Sequence, residues 1–250
     1  MARFDGRVAL LSGVASGMGR CTAIRLASEG ATVHGIDIDD EGAAATAADI
    51  SDAGGTITVQ RADLASVDEC RNAVDTAVAT HGRLDVLGNI AAISWHAHVA
   101  DVTEEAWDTM MAINVRSMFF LCQAAIPHLF ETDGTIVNIA SNAGFMGQAY
   151  TVPYCASKGA VVNLTRALAM EFVKTPLRIN AIAPGGTDTP MNRNFEVAEN
   201  ADVDLMRPYM GYRPFGRPEH IAALFAFLVS DEAATIHGSI INADSGLTAA

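Results

Sequence analysis

Residues 11–20 read LSGVASGMGR, a stretch that follows a short apolar run and carries Gly13, Gly17 and Gly19. Two familiar phosphate-binding patterns fail against it. A triphosphate loop requires Lys followed by Ser or Thr after its last glycine, and no lysine stands there. An ordinary dinucleotide fingerprint reads G-x-G-x-x-G, whereas this stretch reads G-x-x-x-G-x-G. A plain strand-to-helix turn also uses such glycines, so the meaning of the loop depends on its surroundings.

Working outward, residues 8–11 form an apolar strand pattern before the loop. Residues 21–29 then place Ala23, Ile24, Leu26 and Ala27 at helical spacing. The alternation continues: ATVHGID as a strand, 41–53 as a helix, TITVQRAD as a strand and 67–81 as a helix. LDVLGNIA and TIVNIAS are further strands, separated by a long helical region over 104–130 that is expected to break near Pro127. A helix over 154–172, the strand LRINAIAP, a helix over 218–228 and the strand GSIINAD complete the pattern. Strands alternating with helices predict an α/β fold: a Rossmann-like, doubly wound parallel sheet of about seven strands with helices on both faces. No linker or repeat divides the chain, so residues 1–250 are read as one domain. Periodicity fails only over 186–217, a length that marks a substrate-binding loop.

Composition narrows the function. With 50% apolar and 18% charged residues among 250, the chain can bury a large core. A formal charge of −13 argues against a nucleic-acid partner. Cys21, Cys70, Cys122 and Cys155 show neither C-x-x-C nor zinc spacing and read as reduced thiols. His96 and His98 lack a third ligand nearby, so no metal is expected and both are read as polar rim. The N-terminus is too short in apolar residues for a secretion signal, and IAALFAFLV is too short to span a bilayer. A cytoplasmic protein with no membrane partner is the expectation.

The second strand ends in GIDID, where Asp37 is placed to accept both hydroxyls of an adenosine ribose and to repel a phosphate on that sugar. Neither Ser16 nor Ile38 is basic, so the prediction is NAD and not NADP; the competing role for Asp37 is to cap the next helix with Asp39 and Asp40. In PYCASKGAV, Tyr154 and Lys158 lie on one helix face, and a nearby cation favours a phenolate. A surface pair has the same spacing. Yet Ser141 ends a strand at the same crevice, and Asn114 is a polar residue within the long helical region.

With these residues together, the chain resembles a classical short-chain dehydrogenase/reductase along nearly its full length. The family pattern T-G-x-x-x-G-x-G matches residues 12–19, with Ser12 in place of threonine. The resemblance implies catalytic Asn114, Ser141, Tyr154 and Lys158. It implies cofactor contacts from Ser12, Gly13, Ser16, Gly17, Met18, Gly19, Asp37 and Ile38, then from Asp63 and Leu64 at the adenine. Asn89 and Ala91 follow, with Tyr154, Lys158, Ile182, Pro184, Gly185, Thr187 and Thr189 toward the nicotinamide. One motif departs: N-N-A-G becomes Asn89, Ile90, Ala91 and Ala92, so a lost glycine is expected to crowd the cofactor ribose and a lost amide to remove a hydrogen bond from the central sheet.

The implied chemistry is hydride transfer, with Tyr154 as acid or base, Ser141 on the substrate oxygen and Lys158 lowering the Tyr154 pKa and holding the ribose. Asn114 would anchor a water joining Lys158 to solvent. Substrate contacts are expected from Ser141, Asn142, Ala143, Gln148, Tyr154, Trp95, His96 and Met191. The loop carrying Met206, Met210 and Tyr212 points to a hydrophobic or ring-bearing secondary alcohol or ketone, unless those residues only pack the loop. A 3-oxoacyl-thioester reductase, a silent dinucleotide sensor and a structural oligomer are the competing readings. A homotetramer is implied by the resemblance.

Overall fold

The computed structural model describes residues 2–249. Seven strands form one parallel sheet in the order β3-β2-β1-β4-β5-β6-β7. They are β1 (Val8–Ser12), β2 (Thr32–Asp37), β3 (Thr56–Arg61), β4 (Val86–Asn89), β5 (Thr135–Ile139), β6 (Arg178–Pro184) and β7 (Ile240–Ala243). The order reverses between β1 and β4, which opens a crevice beyond their carboxyl ends.

β1 is buried at every residue because both of its faces are covered. Val8 and Leu10 point into one core, and Ala9 and Leu11 into the other. The first core lies under α3 (Val67–His81), α5 (Ser117–Phe130) and α6 (Val152–Glu171). The second lies under α1 (Gly17–Ser28) and α9 (Pro218–Val229), with Ile50 of α2 (Asp40–Asp52) reaching in.

Two helix boundaries differ from the sequence expectation. α1 starts at Gly17, a full turn before Cys21, because its first turn consists of the glycine-rich residues whose spacing carries no apolar signal. The helical region over 104–130 does not break at Pro127. α5 continues through it to Phe130, since Ile126 and Leu129 remain buried and their packing offsets the one lost backbone hydrogen bond. The irregularity lies earlier, where α4 (Glu104–Met111) passes through a π turn over Ala112–Arg116 into α5. Taken as one helix, Glu104–Phe130 is long and apolar enough to cross a membrane by length and composition. In this fold half of its apolar window is buried, and α5 packs on α3.

Over 186–217 there are only two short helices, α7 (Pro190–Arg193) and α8 (Arg207–Met210), and one turn of 3-10 helix at Val203–Leu205.

Candidate active site

The helices near the crevice are capped differently. Asp39, Ser66 and Thr103 cap α2, α3 and α4 through their side chains, and each of those helices has acidic residues in its first turn. α1 has neither: Ser16 makes no capping hydrogen bond and no acid follows. Its free N–H groups and positive dipole end are left for an anion. The glycines make room for one. A Cβ on Gly19 would lie 1.9 Å from the Gly13 carbonyl oxygen, and Gly13 itself has a φ of +76° with Ala91 backbone 3.0 Å from where its Cβ would be. The loop therefore folds back on itself in a way that admits no side chain at either position.

This loop borders a cleft of about 240 Å³. Gly13, Ser16, Gly17, Met18, Gly19, Asp37, Ile38, Asp63, Leu64, Ala91 and Thr189 all line it. Asp39 caps α2 through the Gly42 N–H, which releases Asp37 from that competing role. The Asp37 carboxylate accepts the Ala15 N–H at 2.9 Å and the Asp39 N–H at 3.0 Å. Two of its roughly four lone-pair positions remain. No Lys or Arg lines this cleft among the described residues. The donor-rich helix end, the side-chain-free loop and the acid at β2 fit a nicotinamide dinucleotide.

Ser12 and Asn89 line neither cavity. The Ser12 hydroxyl is 2% exposed and accepts the N–H groups of Ile90 and Ala91, tying the end of β1 to the chain leaving β4. Asn89 donates to Asn138 Oδ1 at 2.8 Å, and Asn138 donates to Thr165 Oγ1 at 2.9 Å. This buried chain of side chains fastens β4 to β5 and α6. The backbone accommodates the altered motif, since Ile90 packs into the α1/α9 core and Ala92 shows no positive φ, but Asn89 Oδ1 is buried without a hydrogen-bond partner among the described residues.

Tyr154 and Lys158 sit one turn apart near the start of α6, where Pro153 occupies the first turn. Both line a second cavity of about 420 Å³ with Ser141, Gln148, Pro184, Gly185, Thr187, Thr189 and Met191. Met18, Ile90, Ala92, Thr189 and Met191 border both cavities, so the two adjoin. Ile182, by contrast, points into the core beneath the sheet, and Ala143 is buried behind the cavity wall, donating its N–H to Ser141 Oγ.

Lys158 is 2% exposed and donates to the Ile139 carbonyl at 2.8 Å, with its Nζ 5.7 Å from the Tyr154 ring centroid. Burial lowers its pKa to about 8. Burial also raises Tyr154 to about 12, against an opposing hydrogen bond from Ser141. In the free protein desolvation dominates Tyr154 and the opposing contribution comes from Ser141, so the expected lowering by Lys158 is not realised there. Asn114, in the π turn, grips both backbone groups of Ile93 at 2.9 Å and bonds Ser157 Oγ at 3.1 Å. Ser157 in turn donates to the Tyr154 carbonyl at 2.8 Å. Asn114 therefore positions the loop after β4 and the turn of α6 that carries Tyr154 and Lys158. Ser157 escaped the sequence reading because its only signal is a hydroxyl beside Lys158.

The loop over 186–217 is fastened over the cavity. His96 meets Phe195 edge-on with centroids 3.9 Å apart, and His98 bonds the Glu199 carbonyl. Tyr150, held at a φ of +65°, accepts the Asp202 N–H, and Tyr209 donates to the Ala149 carbonyl. Met206 is 2% exposed and Tyr212 fully exposed, so one lines the cavity while the other faces solvent.

Residues 13–248 match a family model described as enoyl-(acyl carrier protein) reductase. A 3-oxoacyl-[acyl-carrier-protein] reductase of Thermotoga maritima is 34% identical, with 98% of this chain and 99% of that one covered. A cyclopentanol dehydrogenase of Comamonas sp. is 36% identical over the full length of both. Among solved structures, a short-chain dehydrogenase of Mycobacterium paratuberculosis bound to NAD has a TM-score of 0.91 at 30% identity, covering 99% of this chain and 100% of that one. One from Burkholderia cenocepacia in complex with NADP has a TM-score of 0.89 at 31% identity, covering 98% and 99%.

Proposed function

Because the chain belongs to the short-chain dehydrogenase/reductase family, oxidoreductases that use a nicotinamide dinucleotide on CH–OH groups, we propose that it interconverts a secondary alcohol and a ketone on an apolar or ring-bearing small molecule, with NAD. The observation that carries this reading is the meeting of Ser141, Tyr154 and Lys158 in one cavity that adjoins the glycine-loop cleft.

When bound, the dinucleotide supplies the hydride acceptor or donor. Gly13, Gly17, Met18 and Gly19 would hold its pyrophosphate, Asp37 its adenosine ribose, Asp63 and Leu64 its adenine. Lys158, Pro184, Gly185, Thr187 and Thr189 would hold the nicotinamide half. In oxidation Tyr154 takes the proton of the substrate hydroxyl; in reduction it returns one. Ser141 donates to the substrate oxygen and stabilises charge that develops there. Lys158, still largely protonated at pH 7, stabilises the Tyr154 phenolate.

Asp37 favours NAD because its remaining lone pairs suit ribose hydroxyls and its charge repels a 2′-phosphate with no cation at hand. Acyl-carrier reductase activity is less well supported. An acidic carrier needs a basic docking face, yet three of the four arginines of the loop, Arg193, Arg207 and Arg217, are paired with Asp188, Asp204 and Glu219. Residues 1–250 act in this reading as one catalytic unit, with 186–217 as the substrate loop. A cytoplasmic homotetramer goes with it, buried partly through exposed Phe119 and Met170. The test is initial rates on a panel of cyclic and open-chain secondary alcohols with NAD and with NADP. Turnover with NAD and little with NADP supports the reading, and turnover only of 3-oxoacyl thioesters with NADPH contradicts it.

A further inference from the structure

The walls of the substrate cavity are mainly apolar, formed by Trp95, Met191, Phe195 and Met206. Polar side chains outside the mechanism also line it, Asn192, Asn194 and Glu196 on the loop over 186–217 among them, and two others lie on the wall opposite that loop. His96 projects from the loop after β4 and lines the cavity. Burial alone holds its imidazole neutral, at a pKa of about 4, with neither a hydrogen bond nor a neighbouring charge contributing. Its orientation is fixed by the edge-on contact with Phe195. A neutral imidazole offers one donor and one acceptor. Without a partner they weaken the packing of this wall; with a ligand oxygen they specify it.

Gln148 is the second group. Its Nε2 donates to Asn142 Oδ1 at 3.2 Å, and the same oxygen accepts the Ser141 hydroxyl at 3.1 Å. Gln148 is therefore two hydrogen bonds from the group that receives the reacting oxygen. Its own amide oxygen accepts nothing from the described residues. The His96 and Gln148 loops are joined, since the Ala97 N–H donates to the Tyr150 carbonyl at 2.9 Å. One continuous wall thus carries both.

We propose that the substrate is bifunctional: an apolar ring that bears, besides the reacting alcohol or ketone, a second hydroxyl or carbonyl oxygen, received by His96 and Gln148 while Ser141 and Tyr154 hold the first. This rests on the alcohol–ketone reading given above and narrows it to diols and hydroxyketones. The second oxygen fixes the ring orientation, so it acts on specificity. A substrate that lacks it covers the His96 donor and acceptor without pairing them.

The test compares cyclohexanol with cyclohexane-1,2-diol and cyclohexane-1,3-diol, with NAD, in the wild type, His96→Phe and His96→Asn. The wild type is expected to prefer one diol by about tenfold in kcat/KM, expressed mainly in KM, as befits one well-placed hydrogen bond. His96→Phe keeps the ring volume and brings that ratio close to one, whereas His96→Asn retains part of it. A role for His96 only in packing against Phe195 would not distinguish the diol from the alcohol. Trp95 lines the same cavity, so its fluorescence titrates binding independently of turnover and should saturate at lower diol than cyclohexanol concentration. Equal kcat/KM for all three compounds, or a diol preference that survives His96→Phe, overturns the inference and leaves the alcohol reading standing. Failure of every alcohol to react, with dinucleotide binding intact, sinks the alcohol reading and this inference with it.

Discussion

Replacing Lys158 by Met should make the free protein more stable while removing its activity. Lys158 is 2% exposed, and among the described residues the only hydrogen bond of its ammonium is to the Ile139 carbonyl. Its pKa falls from 10.5 to about 8 by burial, which at 1.36 kcal/mol per pH unit is a cost of about 3 kcal/mol to the fold. The sign follows from proton counting. Below pH 8 the folded and unfolded chains both carry the proton, and the full cost is present. Between about 8 and 10.5 the unfolded chain keeps a proton that the folded one has released, so stability rises with pH across that window. Methionine fills a similar volume without the charge, at the loss of one hydrogen bond worth about 1 kcal/mol. The net gain for Lys158→Met is therefore about 2 kcal/mol at pH 7, and it should shrink as pH approaches 9.5. Tyr154, raised to about 12, costs stability only above pH 10, which keeps the two effects apart. Urea unfolding of both proteins, without dinucleotide, at several values from pH 7 to 9.5 reads this directly. A Lys158→Met protein less stable than the wild type by more than 1 kcal/mol, with the same pH dependence, would refute the argument.

Asp37→Ser removes a charge that repels a 2′-phosphate, and at an effective dielectric near that of a protein surface the change is about 1–3 kcal/mol. The NAD-to-NADP ratio of kcat/KM should fall by about tenfold or more, and an unchanged ratio would contradict the role of Asp37. Ser12→Ala leaves the N–H groups of Ile90 and Ala91 without their acceptor in a buried place, so about 2 kcal/mol of stability should be lost. Calorimetry should show the melting temperature down by about 5 °C and Ser12→Thr close to wild type; a drop below 1 °C in the alanine variant speaks against the clamp. Because Tyr154 is mostly protonated at neutral pH, alcohol oxidation, which needs its base form, should rise with pH from about 6 to 8, while ketone reduction stays flat or falls. Initial rates in both directions check this, and an oxidation rate that falls over that range is the opposite result.

The features legible in the sequence are those whose signal is local. Gly13, Gly17 and Gly19 lie within one turn of chain, Tyr154 and Lys158 are one helical turn apart, and Asp37 ends a strand whose alternation is plain. The sheet followed from the repeated change between strand and helix spacing. What escaped depends on contacts between distant segments. The partners of Ser12 lie beyond β4, and those of Asn114 come from Ile93 and Ser157. The closure of the loop over 186–217 rests on Tyr150, His96 and His98, none of which is close to it in sequence. Pro127 misled because propensity is local, while the packing of Ile126 and Leu129 that overrides it is tertiary. The π turn at Asn114 has no spacing signature, since the residues around it fit an ordinary helix.

Hydride transfer with Tyr154 as acid or base is tested most directly by following the hydrogen. A secondary alcohol turned over by the wild type is labelled with deuterium at the carbinol carbon, and the reduced dinucleotide is analysed by mass spectrometry for the wild type and Tyr154→Phe. Deuterium is expected on the dinucleotide with the wild type. With Tyr154→Phe the rate should be lower by about a thousandfold, the order of general acid–base and positioning effects combined, with dinucleotide binding retained. Deuterium appearing in the solvent, or label transfer at an undiminished rate in Tyr154→Phe, would contradict it.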